Sequence, residues 1–559
     1  MKSKLVLFIV VAVIFQPIIG QDSLMTILSK EMEREMKELS QQENPPYYID
    51  YRVDDIKSLG LHASFGSLIQ ENEDRARVIT VNVKVGDYNF DNTHEFKGEF
   101  SQPYQNALGT VRIPLEDNPE AISQIIWRAV DQNYKNASSN FTALKNRKNR
   151  YNEQDVILDF SKEYPVEYFE PVYPDETFKI DKDDWIKRLK EYTTLFQGDS
   201  TIFHCEAALS FVYDRKYFLS TENSHIIQNS IYCQVQFMVS IRHNKGTLLP
   251  LNKSYTAFHP ADLPKHEVII QDIKNLYQTL KKLQTSELAE PYAGPAILSP
   301  EASGVFFHEI FGHRIEGHRL ENISDGQTFK DKLNTKVLPK GFNVISDPTL
   351  QQFNDQDLIG YYKYDDQGIE GKKVQVVEDG ILKHFLMSRR PTKEFSSSTG
   401  HGRAQAGFLP VSRQSNLIIE SANPLSDEDL RKMLIKACKK QDKEFGYYFK
   451  SVVGGLTITD RYNTNVFNIT PTKVYKIYVD GRPDELVSGV ELIGTPLTMF
   501  SNIEAAGNVK KVFTGFCGAE SGHIPVTAIS PALFVRKIET QKSPEYDSKI
   551  PLLNEPEYE

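Results

Sequence analysis

Ile79, Val81, Val83 and Val85 alternate with Thr80, Asn82 and Lys84. A two-residue period of this kind is met by a strand with one buried face and cannot be met by a helix. The pattern runs from Tyr47 to about Val85, recurs between Thr201 and Arg242, and dominates the C-terminal half. The chain is therefore committed to sheets whose apolar faces need a cover, and a few helical segments supply candidates for it. Leu24, Leu28, Met32, Met36 and Leu39 recur at helical spacing before Pro45-Pro46, and Ile269, Ile273, Leu276, Tyr277, Leu280 and Leu283 trace one face of a longer helix. Further helices are expected at about Pro119–Asn133, Asp183–Phe196 and Asp427–Gln441. The fold class that follows is α+β.

A chain of 559 residues exceeds what one core normally serves. Pro291, Gly294 and Pro295 after the long helix mark a boundary. The expected domains are an N-terminal α+β unit over 21–290 and a strand-rich C-terminal unit over 296–545, followed by a polar tail over 546–559. Within the second unit, Asp379-Gly380 and Asp480-Gly481 each separate two apolar alternating runs, as hairpin turns do. Residues 1–20 have the layout of a secretory signal peptide: Lys2 and Lys4, an apolar run from Leu5 to Ile19, and a stop at Gly20. That run is shorter than the ~20 residues a membrane-spanning helix needs, so export with cleavage near Gly20, to a periplasm or the exterior, is expected rather than a membrane anchor. No cysteine precedes Cys205, so the usual lipid-attachment site is absent and a soluble mature protein is expected.

A formal charge of -10 on a chain with 25% charged residues is modest, and no basic tract points to nucleic acid or to an anionic membrane. Four cysteines (Cys205, Cys233, Cys438 and Cys517) are too few for a disulfide scaffold, although Cys205 and Cys233 are candidates for one bridge in an oxidising compartment.

Chemistry concentrates between Ser299 and His313. Ser299 and Pro300 suit the cap and first turn of a helix. His308-Glu309 followed by His313 is the kind of arrangement zinc hydrolases use, two imidazoles binding the metal while the adjacent carboxylate faces water. The spacing is unusual, because histidines five apart diverge by about 140° on a regular helix. Chelation therefore requires the helix to bulge or end between them, and Gly312 is the residue type that permits it. The inverted zinc pattern, His-x-x-Glu-His, fails at Gly317, which leaves His318 as an extra polar group. By spacing alone, a chance coincidence stays open.

Beyond the helix, His308-Glu309-x-x-Gly312-His313 with Glu316-Gly317 resembles the signature of the TldD/PmbA metallopeptidase family. Downstream blocks resemble it in order: Tyr364-Asp365-Asp366-Gln367-Gly368, Gly400-His401-Gly402-Arg403-Ala404, Ser412-Arg413-Gln414-Ser415-Asn416, and Gly515 to Val526 around Cys517. The resemblance covers about Leu298 to Phe534. It implies zinc held by His308, His313 and Cys517, with Glu309 as the catalytic base of an active-type subunit. It also implies peptides or unfolded polypeptides as substrate, and a dimer with a second copy or with a metal-free relative. The block around His401 and Arg403 is a candidate wall of a substrate cleft, with Arg403 or His523 binding a carboxylate or an oxyanion, although a plain turn explains it equally. Two rivals stay open: a non-catalytic peptide-binding subunit with structural zinc, for which His318 is the nearby fourth ligand, and a zinc amidase acting on a non-peptide amide.

Overall fold

Two large sheets carry the alternation. The computed structural model describes residues 22–96, 109–148, 157–321, 324–325, 327–459 and 467–543. The expected signal segment, residues 1–20, and the tail, 546–559, lie outside the described residues. Among the described residues no helix is long and apolar enough to cross a membrane.

The first sheet has seven strands built from Pro46–Ser64, Ser67–Val85, Val111–Ile113, Glu167–Phe169, Ile202–Ser220, His225–Arg242 and Leu248–Ala257. Its first two strands form a long antiparallel hairpin closed by Phe65-Gly66, both at positive φ, as a two-residue turn between right-twisted strands requires. Helices α1 (Ser23–Leu39) and α2 (Pro119–Lys148) bury Leu24, Leu28, Ile122 and Ile126 against Val53, Ile79 and Val81. Helices α3 (Lys182–Thr194) and α4 (His266–Gln284) bury Leu189, Ile273 and Leu280 against Leu209, Val235 and Phe237. Many of the intervening residues of the same strands, Asp54, Asp214, Lys216, Gln234 and Gln236 among them, are polar and face the cavities shared with the C-terminal half. On His225–Arg242, Tyr232, Gln234 and Gln236 turn toward the C-terminal half while Cys233, Val235 and Phe237 pack beneath α3 and α4.

The second sheet has twelve strands, and the 21-residue strand Gly522–Lys542 organises it. That strand pairs antiparallel with Tyr292–Leu298 and Ile503–Ala519, and parallel with Asn416–Ser421. Helix α5 (Pro300–Ile310) leaves Tyr292–Leu298 directly, with Ser299 Oγ accepting from the Ala302 amide at 3.2 Å and donating to the Lys450 carbonyl at 2.8 Å. It is buried along its whole length after the first turn, and Ser303 Oγ meets Ser530 Oγ at 2.6 Å on the central strand. Helices α6 (Asp427–Lys440) and α7 (Pro496–Ser501) complete this half. Phe500 from α7 sits among Phe307 and Phe311, with ring centroids 5.3 and 5.0 Å away.

Three expectations need adjustment. Helix α2 runs on to Lys148, well past Asn133, because Tyr134, Ala137 and Phe141 continue its apolar face at helical spacing. Asp379-Gly380 is a two-residue turn with both residues at positive φ, whereas Asp480-Gly481 lies in a longer loop between Phe467–Tyr478 and Glu485–Ser488. The bridge considered for Cys205 and Cys233 does not form, since both thiols are free. Their neighbouring strands place Cys205 opposite Val239 and Cys233 opposite Phe211, six residues apart along the ladder and far beyond the reach of a disulfide.

Candidate metal centre

Helix α5 stops between the two histidines. Ile310 is its last residue, Phe311 caps it, and Gly312–Ile315 continues as a tighter 3-10 turn. This change of pitch swings His313 back beside His308, with ring centroids 5.0 Å apart. Arg314 holds the junction: one guanidinium nitrogen donates to the carbonyls of Glu309 at 2.7 Å and Ile310 at 3.2 Å, and to Thr457 Oγ1 at 2.9 Å. It satisfies helix-end acceptors that would otherwise be buried without donors. Gly312 is at a negative φ, so conformational freedom is not what it provides. A Cβ there would stand 1.8 Å from Gln414 Oε1, and the Gln414 amide donates to the His308 carbonyl at 3.3 Å. Replacing Gly312 by Ala is expected to destabilise the protein by about 1–3 kcal/mol through overpacking and to loosen metal uptake. Thermal unfolding and zinc stoichiometry of the variant check this.

Cys517 arrives from Ile503–Ala519, near the turn into Gly522–Lys542. Its Sγ lies 3.2 Å from His308 Nε2 and 3.3 Å from His313 Nε2, and the three ligand atoms all fall within 4.8 Å of one another. Tetrahedral zinc, with bonds of about 2.0–2.1 Å to nitrogen and 2.3 Å to sulfur, separates its ligands by about 3.5 Å. The set fits such an ion with a small outward adjustment. Its chemistry fits as well: burial alone would raise the Cys517 thiol, but His313 and then His308 hold it well below its ordinary range, so the sulfur is a thiolate. Among the described residues no other His, Cys, Asp or Glu joins this cluster.

A second layer of side chains orients the first. His313 Nδ1 faces Glu316 Oε2 at 3.3 Å, the carboxylate–imidazole pairing that fixes the ring of a metal ligand. Glu316 is fully buried; burial opposes its ionisation, but His313, Arg319 and Arg413 hold its carboxyl at about 2. Arg413, itself fully buried, donates to the Cys517 carbonyl at 2.6 Å, the Gly522 carbonyl at 3.1 Å and Ser521 Oγ at 2.9 Å. It thus clamps the hairpin that carries the thiolate. Arg319 ties Glu316 to Glu520 and Asp325.

Glu309, the acid next to His308, lines the same cavity of about 460 Å³ as the three ligands. The opposite wall of that cavity comes from the N-terminal sheet, through Gln234, Gln236, Asn252 and Ser254. Gly454 and Gly455 pass close by, and a Cβ at 455 would stand 2.4 Å from Glu309 Cγ.

The remaining sequence candidates lie elsewhere. Arg403 and His523 line a separate, larger cavity, and Arg403 is occupied by the Gln414 carbonyl at 2.6 Å and by the ring of Tyr362. His318 is buried outside the ligand cluster, 3.9 Å from Glu520. His401 reaches neither cavity. It is wholly buried, with Nδ1 facing the Thr399 carbonyl and Nε2 facing Ser346 Oγ, both at 3.0 Å. Burial pushes its pKa down to about 3, so the folded protein keeps it neutral while the unfolded chain takes up a proton below about 6.5. Because the unfolded state then binds more protons, stability falls as the pH drops from about 6.5 toward 3, by up to about 1.4 kcal/mol per pH unit from this group. Urea titrations at pH 7 and pH 5 should show a smaller difference for His401→Gln than for the parent protein. The residues the sequence reading passed over as functional, Glu316, Arg319 and Arg413, are those whose roles depend on long-range contacts.

Comparison with known proteins agrees with this arrangement. Residues 291–542 match the PmbA/TldA metallopeptidase C-terminal domain. A metalloprotease of Archaeoglobus fulgidus is 31% identical over 47% of this chain and 56% of its own length, so the chain spans about half of that relative. A metalloprotease of Methanocaldococcus jannaschii is 26% identical over 76% of this chain and 85% of its own length. A zinc metalloprotease TldD homolog of Saccharolobus solfataricus is 27% identical over 48% of this chain and 56% of its own length. Among solved structures, TldE of Thermococcus kodakarensis superposes with a TM-score of 0.61 at 13% identity, covering 91% of this chain and all of that one. A DNA-gyrase modulator protein of Thermotoga maritima gives the same score at 16% identity, covering 92% of this chain and all of its own. These two likenesses establish the fold alone.

Proposed function

We propose, from the premise that the chain belongs to the TldD/PmbA family through residues 291–542, that it is a zinc-dependent peptidase acting on peptides or unfolded polypeptide segments. The observation that carries this reading is the open three-ligand set of His308, His313 and Cys517, with the Glu309 carboxyl lining the same cavity. Structural zinc is normally closed by a fourth protein ligand, and catalytic zinc keeps one position free. His318, the candidate for a fourth ligand, stands outside the cluster, which favours the open site over a merely bracing one.

Zinc held by His308, His313 and Cys517 would supply a Lewis acid able to make water nucleophilic near neutral pH. The chain's own groups do the rest. Glu309 accepts the proton of the attacking water and returns it to the departing amine. Glu316 orients the His313 ring, and Arg413 fixes the Cys517 carbonyl and the turn that follows it, so the three donors stay preorganised. Gln234, Gln236, Asn252 and Ser254 give the facing wall amide and hydroxyl groups suited to a polypeptide backbone.

The test is to assay full-length zinc-loaded protein on a mixed peptide library, before and after chelation and again after zinc is restored. Cleavage that disappears with the metal and returns with it supports the reading, and cleavage indifferent to chelation overturns it. The apolar run Leu5–Ile19 behind Lys2 and Lys4 supports export as part of the same proposal. A dimer, either of two copies or with a metal-free relative, belongs to the same proposal and rests on the family resemblance of residues 291–542.

A further inference from the structure

The larger cavity, about 610 Å³, lies beside the metal cavity and is built from the same two surfaces. Strand His225–Arg242 lends Ser230 and Tyr232 to the larger cavity and Gln234 and Gln236 to the metal cavity. Facing it, the hairpin that carries Cys517 lends Phe516 to the metal cavity and Pro525, its cross-strand partner, to the larger one. Tyr232 and Phe516 touch across the division, with ring centroids 5.4 Å apart. From Ser230 to Gln236 is about 20 Å of extended chain. A polypeptide with a bond at the metal therefore has its neighbouring residues within reach of the second cavity.

Acidic side chains outnumber the three cations, Lys216, Lys363 and Arg403, in the lining of that cavity. Five of its lining side chains are acidic: Asp54, Glu170, Asp214, Asp365 and Asp366. Four of them are already satisfied. Asp54 is held by Arg52 Nε at 3.1 Å, Glu170 by Lys363 Nζ at 2.9 Å, and Asp366 by Lys216 Nζ at 2.7 Å. Asp365 accepts from the backbone amides of Gln367, Ile369 and Gly402. Asp214 is the exception. Its Oδ1 is buried without a hydrogen-bond partner, and its nearest cation, Lys216 Nζ, stands 3.8 Å from Oδ2. Around this point three carboxyl groups (Asp54, Asp214 and Asp366) share two cations (Arg52 and Lys216), which leaves Asp214 as the acid without a close cation of its own.

The rest of the lining also suits a cation. Aromatic rings from Tyr173, Tyr232, Phe258 and Tyr361 stand on the walls. Two of the three cations in the lining sit on rings, Lys363 over Tyr168 and Arg403 over Tyr362. Burial and the adjacent Asp54 hold the Asp214 carboxyl well above its ordinary range, so an entering cation exchanges for a proton there.

We propose that this cavity is a subsite for a cationic nitrogen group of the substrate, a Lys or Arg side chain or the α-ammonium, received by Asp214 among the aromatic walls. The proposal rests on the peptidase reading for its placement beside the scissile bond. Its test uses full-length zinc-loaded protein and a decapeptide series in which one Lys is moved along an uncharged sequence, with norleucine and Glu replacements at each position. The same peptides are compared with free and acetylated N-termini. Expected is a kcat/KM at least 10-fold higher with Lys at one or two positions than with norleucine there, and a ratio near one in Asp214→Asn and Asp214→Ser proteins of full zinc content. Preference that survives acetylation assigns the group to a side chain, and preference lost on acetylation assigns it to the α-ammonium. No preference in the parent protein, or one unchanged in both variants, overturns the subsite. If no peptide is cleaved, the peptidase reading fails separately, because equilibrium binding of the same labelled peptides still reads the Lys-to-norleucine ratio and its dependence on Asp214.

Discussion

Glu309→Gln is expected to retain zinc at full stoichiometry and to hydrolyse peptides about 10²–10⁴-fold more slowly than the parent protein. Glutamine keeps the size and shape of the side chain, so the close passage of Gly455 against the Glu309 methylenes is preserved and the fold should not respond. What is lost is a group able to take a proton from water and return it. The neighbouring His308, His313 and Cys517 would not substitute, since holding the zinc would commit all three donor atoms. A loss confined to kcat, with KM and metal content unchanged, is the signature of a base that acts only in the chemical step. Equal cleavage by the two proteins would remove Glu309 from the mechanism, whatever the metal does.

Arg413→Met should produce the largest change in stability of any single substitution near the site, about 3–5 kcal/mol, because it leaves charge and acceptors buried without a partner. The guanidinium lies 3.6 Å from Glu316 and donates to two carbonyls and a hydroxyl on the Cys517 hairpin. Methionine fills much of the volume and satisfies none of these groups. Zinc affinity should fall by about 10–100-fold as the thiolate loses its fixed backbone. Thermal unfolding with and without metal, together with competition against a chromophoric chelator, measures both effects. Lys at this position keeps a charge but loses the fork, so it should recover only part of either loss.

The metal helix was legible from its own residues. Ser299 and Pro300 announce its start, and a five-residue separation of histidines forces a break that the structure supplies at Ile310. Gly312 was read correctly as a special position but for the wrong reason: backbone freedom was expected, and what excludes a side chain is Gln414, about a hundred residues away. The same limit hides the roles of Glu316, Arg319 and Arg413, although Glu316 and Arg413 stand in blocks that carry the family resemblance. Each is an ordinary charged residue until the chain folds, and its role is set by contacts with strands that no local pattern links to it. Helix α2 shows a different failure. Its apolar face continues through Tyr134, Ala137 and Phe141, but the polar residues between them dilute the period enough to suggest an early end. His401 was drawn into the candidate list by its neighbours Gly402 and Arg403, although nothing in the sequence distinguishes a wall of a cleft from a packed turn.

The metal donors belong wholly to the C-terminal half, yet one side of the chamber they open into is made by the polar face of the N-terminal sheet. On the proposed peptidase reading, reactivity and selectivity are thus written in separate stretches of the sequence. On that reading, substitutions at Gln234, Gln236, Asn252 or Ser254 are expected to retune which peptides are cleaved while leaving His308, His313 and Cys517 untouched.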